Sequence, residues 1–124
     1  MAWDVSYHDD FAAEFKEFDK DVKIELRAVT KFLEAKGPKL GRPWVDTLKG
    51  SDYANMKELR FEAADGEWRA AFAFDPERKA IILVAGDKSG MSQKKFYGKL
   101  IEKADKRYKS HLEDLKEKAK REKK

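Results

Sequence analysis

The sequence predicts a compact domain of the α/β class, more narrowly α+β. Its parts are an N-terminal strand, a helical hairpin or one long helix, an antiparallel three-stranded meander and a C-terminal helix. Three observations predict it. Between Met56 and Ala85, three strand-like runs are separated by Asp65-Gly66 and by Asp75-Pro76-Glu77-Arg78. Apolar residues recur at helical spacing from Phe11 to Leu33, and again from Phe96 to Tyr108. The length of 124 residues suits one domain with a real core and little room for a second.

Ala2 to Tyr7 alternates, with Trp3, Val5 and Tyr7 on one side, and reads as a strand. Asp9 or Asp10 then caps a helix carrying Phe11, Phe15, Phe18 and Val22, continued by Leu26, Val29 and Leu33 to Gly37-Pro38. A break near Phe18 to Asp21 divides it in two, or it runs on as one. Gly37 to Ser51 reads as a loop, pinned by Trp44, Val45 and Leu48 and made cationic by Lys39, Arg42 and Lys49.

Lys57 to Ala63 alternates, with Leu59, Phe61 and Ala63 on one face. Asp65-Gly66 is the expected two-residue hairpin turn, because a type I′ turn needs positive φ twice. Trp68, Ala70, Phe72 and Phe74 then face inward. Residues 80–85 (AIILVA) are apolar throughout, which predicts a strand covered on both faces. A helix starts at or just before Ser92 and presents Phe96, Leu100, Ala104 and Tyr108, with Leu112, Leu115 and Ala119 extending the stripe. The predicted domain is 1–116, and 117–124 is a charged tail, read as a solvated helix end.

Composition removes several functions. Without cysteine there are no disulfides and no thiol chemistry. His8 and His111 lack metal-ligand spacing, so neither a metal nor another cofactor is expected. No apolar run approaches the roughly 20 residues of a membrane span, and the acidic N-terminus lacks a signal-peptide core. The reading is a cytoplasmic protein with no membrane partner. The net charge of +4 comes from 28 basic and 24 acidic residues, so basic character matters only where it is local.

It is local on the meander. With Asp65-Gly66 as the loop, Glu62 pairs with Arg69 and Arg60 lies diagonal to Arg69, on the face opposite Phe61 and Trp68. Two guanidiniums so placed can hold one phosphate, and Ala71 and Ala73 leave room beside them. The plainer reading is an Arg69–Glu62 cross-strand ion pair. Residues 86–90 (GDKSG) follow the last strand, either as a ligand-approaching loop or as an ordinary connection, and they lack phosphate-loop spacing.

The ordered series ELRF, GEWRAAFAFDPERKAIILVAGDKSG and KKFYGKLIEKADKRY resembles the phage-derived Gp49-like, HigB-type toxins of the RelE/ParE superfamily. GRPWVDTLKGS and SHLEDLK fit the same pattern, so the resemblance spans roughly residues 2–116. It implies the toxin of a type II toxin–antitoxin system, a ribosome-dependent mRNA endonuclease. The implied partners are a helix-turn-helix (HigA-like) antitoxin, the ribosome and mRNA, with operator DNA reached only through the antitoxin complex. The implied catalytic residues are Arg69, Arg60, Lys88 and Tyr97, and the RNA-binding ones Lys49, Lys57, Lys39 and Arg42.

The chain departs from the family where Glu58 stands in place of a second basic residue and where Asp87-Lys88 replaces paired lysines. The general base stays open among Lys57, Tyr97, Glu58 and His111. Two other functions fit the same fold: a ParE-like DNA gyrase inhibitor, and an inactive remnant that binds antitoxin or nucleic acid.

Overall fold

A computed structural model of the chain describes residues 3–122. Five strands form one sheet: β1 (Asp4–Tyr7), β2 (Val45–Thr47), β3 (Met56–Ala63), β4 (Gly66–Phe74) and β5 (Lys79–Asp87), in the order β1-β5-β4-β3-β2. Strands β3, β4 and β5 are the expected antiparallel meander. β1 runs parallel to β5, and β2 antiparallel to β3. Of the predicted first strand, Ala2 lies outside the described residues.

Helices α1 (Asp9–Lys16) and α2 (Lys20–Lys36) pack on one face of the sheet. The break between them, at Glu17–Asp19, settles the choice between one helix and two. Phe11, Leu26 and Leu33 are fully buried there against Leu59, Phe72 and Ile82. Each such side chain contributes about 1.5–3 kcal/mol. The cap of α1 is His8, not an aspartate: its Nδ1 accepts from the Asp10 N–H at 3.2 Å. Asp9 and Asp10 instead occupy the first turn, where negative charge suits the helix dipole.

Helix α3 (Gln93–Glu122) covers the other face through Phe96, Leu100, Ala104 and Tyr108. The Ser92 Oγ caps its start by accepting from the Lys95 N–H. Leu112 and Leu115 continue the stripe half-buried, whereas Ala119 is exposed. Ala71 and Ala73, expected to leave room for a ligand, are fully buried in this second core. Small side chains there let the helix approach the sheet. A bulge in β5 shifts the register between Ala71 and Phe72, so that both Leu83 and Val84 join the α3 side.

Further sequence expectations fail locally. Part of the predicted 37–51 loop is β2, too short to show alternation, and Trp44 beside it is exposed, not buried. The β3–β4 turn residues are Ala64-Asp65, with φ of 49° and 62°, not Asp65-Gly66. Gly66 sits in the strand because a Cβ there would lie 2.5 Å from Asp87 Oδ2. The Asp87 carboxylate uses that space to accept from the Glu67 and Ser89 N–H groups. The glycine serves a close approach, and alanine adopts the left-handed turn in its place.

Candidate nucleic-acid interface

The shifted turn changes the register but not the faces. Arg60 pairs directly with Arg69, and Glu62 with Glu67. Directly opposed like charges repel, so the pair needs an anion. That anion is Glu58, not Glu62. Glu58 is a buried carboxylate on β3, diagonal to Arg69. Its Oε1 accepts from Arg60 Nε at 3.0 Å and lies 3.3 Å from Arg69 Nε. The Tyr97 hydroxyl, from the first turns of α3, donates to the same oxygen at 2.9 Å. Oε2 takes no hydrogen bond from the described residues.

The two arginines are held differently. The Arg69 side chain is only 11% exposed, and its Nη1 donates to the Trp68 carbonyl at 2.9 Å. Its Nε is buried without a properly directed hydrogen bond. Arg60 is more open and also reaches Asp46 Oδ2 at 3.3 Å, an oxygen shared with Arg42 at 2.9 Å. The hydrogen bond from Arg60 to Glu58 raises the guanidinium pKa further. The Thr47 N–H, then Arg42, lower that of Asp46. Burial first, and then the bond to Glu58, raise that of the Tyr97 phenol, which therefore stays protonated at neutral pH.

Around this cluster lies an open groove of about 540 Å³. Its walls are β2, the charged face of β3 and β4, the loop after β5 and the start of α3. Six cationic side chains line it (Arg42, Lys49, Arg60, Arg69, Lys88 and Lys94) against two carboxylates, Asp46 and Glu58. The loop carrying Lys49 is fastened to α3, where the Asp105 carboxylate accepts from the Ser51 hydroxyl and the Asp52 N–H. Lys88 is positioned by its own N–H, which donates to the Glu67 carbonyl at 2.9 Å. A surplus of cations along a trough has the electrostatics that suit a polyanion strand.

The groove thus gathers Arg60, Arg69, Lys88 and Tyr97 with Lys49 and Arg42. It leaves out two residues expected to bind RNA. Lys57 alternates with Glu58 and so points away from the charged face, and Lys39 sits exposed in a short 3-10 turn after α2 (Gly37–Lys39). His111 is also remote, about 20 Å further along α3 than Tyr97 at 1.5 Å per residue. It pairs instead with buried Asp75 at 2.8 Å, whose other oxygen holds the β4–β5 turn through the Glu77 and Lys79 N–H groups. Sequence reasoning missed Asp46, on a strand too short to show a pattern, and Gln93 and Lys94, at the start of a predicted helix whose seating beside the arginines depends on the tertiary fold. Among the described residues no group of three or more acidic or histidine side chains is placed to hold a metal ion. Nor is any described helix long and apolar enough to cross a membrane.

Residues 13–109 match the family described as Phage derived protein Gp49-like. Among curated proteins, the candidate toxin HigB2 of Mycobacterium tuberculosis is 46% identical over 110 residues, covering 86% of this chain and 54% of that protein. The candidate toxin HigB3 of the same organism is 42% identical over 98 residues, covering 79% and 83%. The chain therefore spans about half the length of one relative and most of the other. Among solved structures, a doubly substituted Escherichia coli toxin RelE in the free state superposes with a TM-score of 0.63 at 13% identity, over 86% of this chain and 98% of that one. The archaeal RelE–RelB complex from Pyrococcus horikoshii OT3 gives 0.51 at 18% identity, over 73% and 99%. At such identities these structures speak for the fold alone.

Proposed function

Because this chain belongs to the phage-derived Gp49-like family, we propose that it is the toxin of a type II toxin–antitoxin pair and cuts mRNA on the ribosome. Its setting is then the cytoplasm, and its partner a helix-turn-helix antitoxin of HigA type. The observation that carries the nuclease reading is the convergence of Arg60, Arg69 and Tyr97 on Glu58 within one cationic groove.

In the proposed reaction, the RNA phosphate lies against Arg60 and Arg69, and its charge replaces part of the Glu58 charge as their counterion. Glu58 Oε2 takes the proton of the 2′-hydroxyl. The O2′ electron pair forms a bond to phosphorus, and the P–O5′ bond breaks. The departing oxygen takes its proton from the Lys88 ammonium. The products are a 2′,3′-cyclic phosphate and a 5′-hydroxyl. The two guanidiniums stabilise the charge that grows on the non-bridging oxygens, and such preorganised donors are each worth about 10²–10³ in rate.

The choice of Glu58 as base follows from where the alternatives sit. Lys57 points to the opposite face, and His111 is some four helical turns away. The Tyr97 phenol is held protonated, so it orients Glu58 and stacks on a base instead. Asp46 is tied at the rim by Arg42.

The test is mapping of mRNA 5′ ends in a cell-free translation reaction with the purified protein. New ends inside translated codons are expected. They should be absent with Arg69→Ala and with an mRNA lacking a start site. Active translation with no new ends overturns the nuclease reading.

A further inference from the structure

A second groove, of about 550 Å³, lies between α2 and the outer end of the β3–β4 hairpin. Its wall is an exposed aromatic pair. Phe32 and Trp44 are 49% and 42% exposed, with ring centroids 5.4 Å apart and planes tilted by 32°. Two large rings left in water at one spot, with buried Phe61 at the groove's base, form an apolar patch of the kind that marks a contact site. β2 ends with Val45 opposite Leu59. Among the described residues, no strand therefore lies outside residues 61–63 of β3. That edge offers backbone groups to an extended segment.

Charge identifies the occupant. Glu25, Glu62 and Glu67 line this groove, although the chain as a whole carries +4. Against the two arginines of the lining, the three glutamates leave a surplus of one acidic charge, which favours basic side chains over nucleic acid. Arg60 and Arg69 line both grooves, so whatever fills this one touches the guanidiniums of the other. An occupant in that position controls the cationic site.

We propose that this groove is the docking surface of the neutralising antitoxin. It takes an extended segment with an apolar anchor against Phe32 and Trp44 and flanking Lys or Arg against the three glutamates. The proposal rests on the toxin reading given above.

The test measures binding of a purified helix-turn-helix antitoxin of HigA type, the partner proposed above, by isothermal titration calorimetry. Three forms of the full chain are compared: wild type, Phe32→Ala/Trp44→Ala, and Glu25→Lys/Glu62→Lys. The aromatic variant should bind about 30-fold more weakly, as loss of a buried aromatic anchor does. The charge-reversed variant alters only exposed side chains and should bind about tenfold more weakly, with the loss shrinking at high salt. Both should cut mRNA as wild type does. Equal affinity of all three forms overturns this docking surface and leaves the toxin reading standing. Failure of the folded partner to bind wild type overturns both. Self-association of the chain alone that Phe32→Ala/Trp44→Ala abolishes, with antitoxin affinity unchanged, gives the face to a second copy and overturns the proposal.

Discussion

The Tyr97 hydroxyl donates a 2.9 Å hydrogen bond to Glu58 Oε1, joining the first turns of α3 to the middle of β3 across 39 positions of sequence. Glu58 also faces Arg60 and Arg69, so one buried oxygen connects the helix to both arginine strands. The geometry of the cationic site therefore depends on how α3 seats on the sheet. Phe96 and Leu100, buried just below, set that seating.

Tyr97→Phe should cost about 1 kcal/mol of stability, the net value of one such bond. Its pH dependence gives a second readout. Burial and the Glu58 bond raise the folded-state pKa of Tyr97 above the ordinary 10.0. Its contribution is then complete below that value and is lost as pH rises through the folded value. Urea unfolding from neutral to strongly alkaline pH should show wild type losing more stability than the variant. Parallel curves would remove Tyr97 from the site's energetics.

Arg69→Lys should behave almost like a deletion. An ammonium keeps the charge but cannot donate at once to the Trp68 carbonyl and to a phosphate from one fixed plane. Single-turnover cleavage on programmed ribosomes should fall about 10²–10³-fold, with the folded circular dichroism signal unchanged. A lysine variant within a few-fold of wild type would mean that charge alone suffices.

Lys49→Gln should act on binding and spare the chemistry. The lysine is exposed and lines the groove, but it makes no hydrogen bond or ion pair with Glu58, which is held by Arg60, Arg69 and Tyr97. Each phosphate contact on a single strand contributes about 0.7 to the slope of log K against log salt. Binding of a short single-stranded RNA should weaken, and that slope should shrink by about 0.7 in magnitude. An unchanged slope would place Lys49 outside the RNA path.

Much of this was legible in the chain, for a physical reason. Strict alternation put Arg60 and Arg69 on one face opposite Phe61 and Trp68, and that parity survived although the turn moved by one residue. The move itself was hidden. It depends on Asp87, twenty-one positions after Gly66, whose carboxylate fills the space where a Cβ would stand. The partner of Arg69 was misread for the same reason, because the exact register selects Glu58 over Glu62. β2 escaped notice since three residues carry no periodicity. Lys57 was assigned by charge, although alternation with Glu58 already points it away from the site.

Ala64→Gly should stabilise the protein. Ala64 holds φ of 49° in the hairpin turn, where a Cβ costs about 1 kcal/mol and glycine has no such penalty. Part of that gain is offset by the greater freedom of glycine in the unfolded chain. A rise of a few degrees in Tm by calorimetry is expected. An unchanged or lower Tm would show that the turn relaxes around the alanine.

The final prediction concerns Glu14 and Arg107, which clamp α1 to α3 across the end of the sheet. Arg107 Nη1 and Nη2 donate to the two Glu14 oxygens at 2.8 and 2.7 Å, and Nη1 also donates to the Leu83 carbonyl at 2.8 Å. Leu83 sits at the β5 bulge, so the guanidinium satisfies a carbonyl there that the ladder leaves available. Only 11% of the Arg107 side chain is exposed, and Glu14→Gln would leave it with the longer 3.9 Å pairing to the exposed Asp10 as its remaining counterion among the described residues. The loss at neutral pH should be about 1–3 kcal/mol, the range for hydrogen bonds to charged groups and for stranded partners. The hydrogen bond from Arg107 lowers the Glu14 pKa below its ordinary 4.5. The carboxylate's contribution is therefore present above that value and disappears as pH falls through the folded one. Urea melts of wild type and Glu14→Gln should differ most near neutrality and converge in acid. A gap that stays constant down to low pH would mean that side-chain packing, not the charge of Glu14, holds the two helices together.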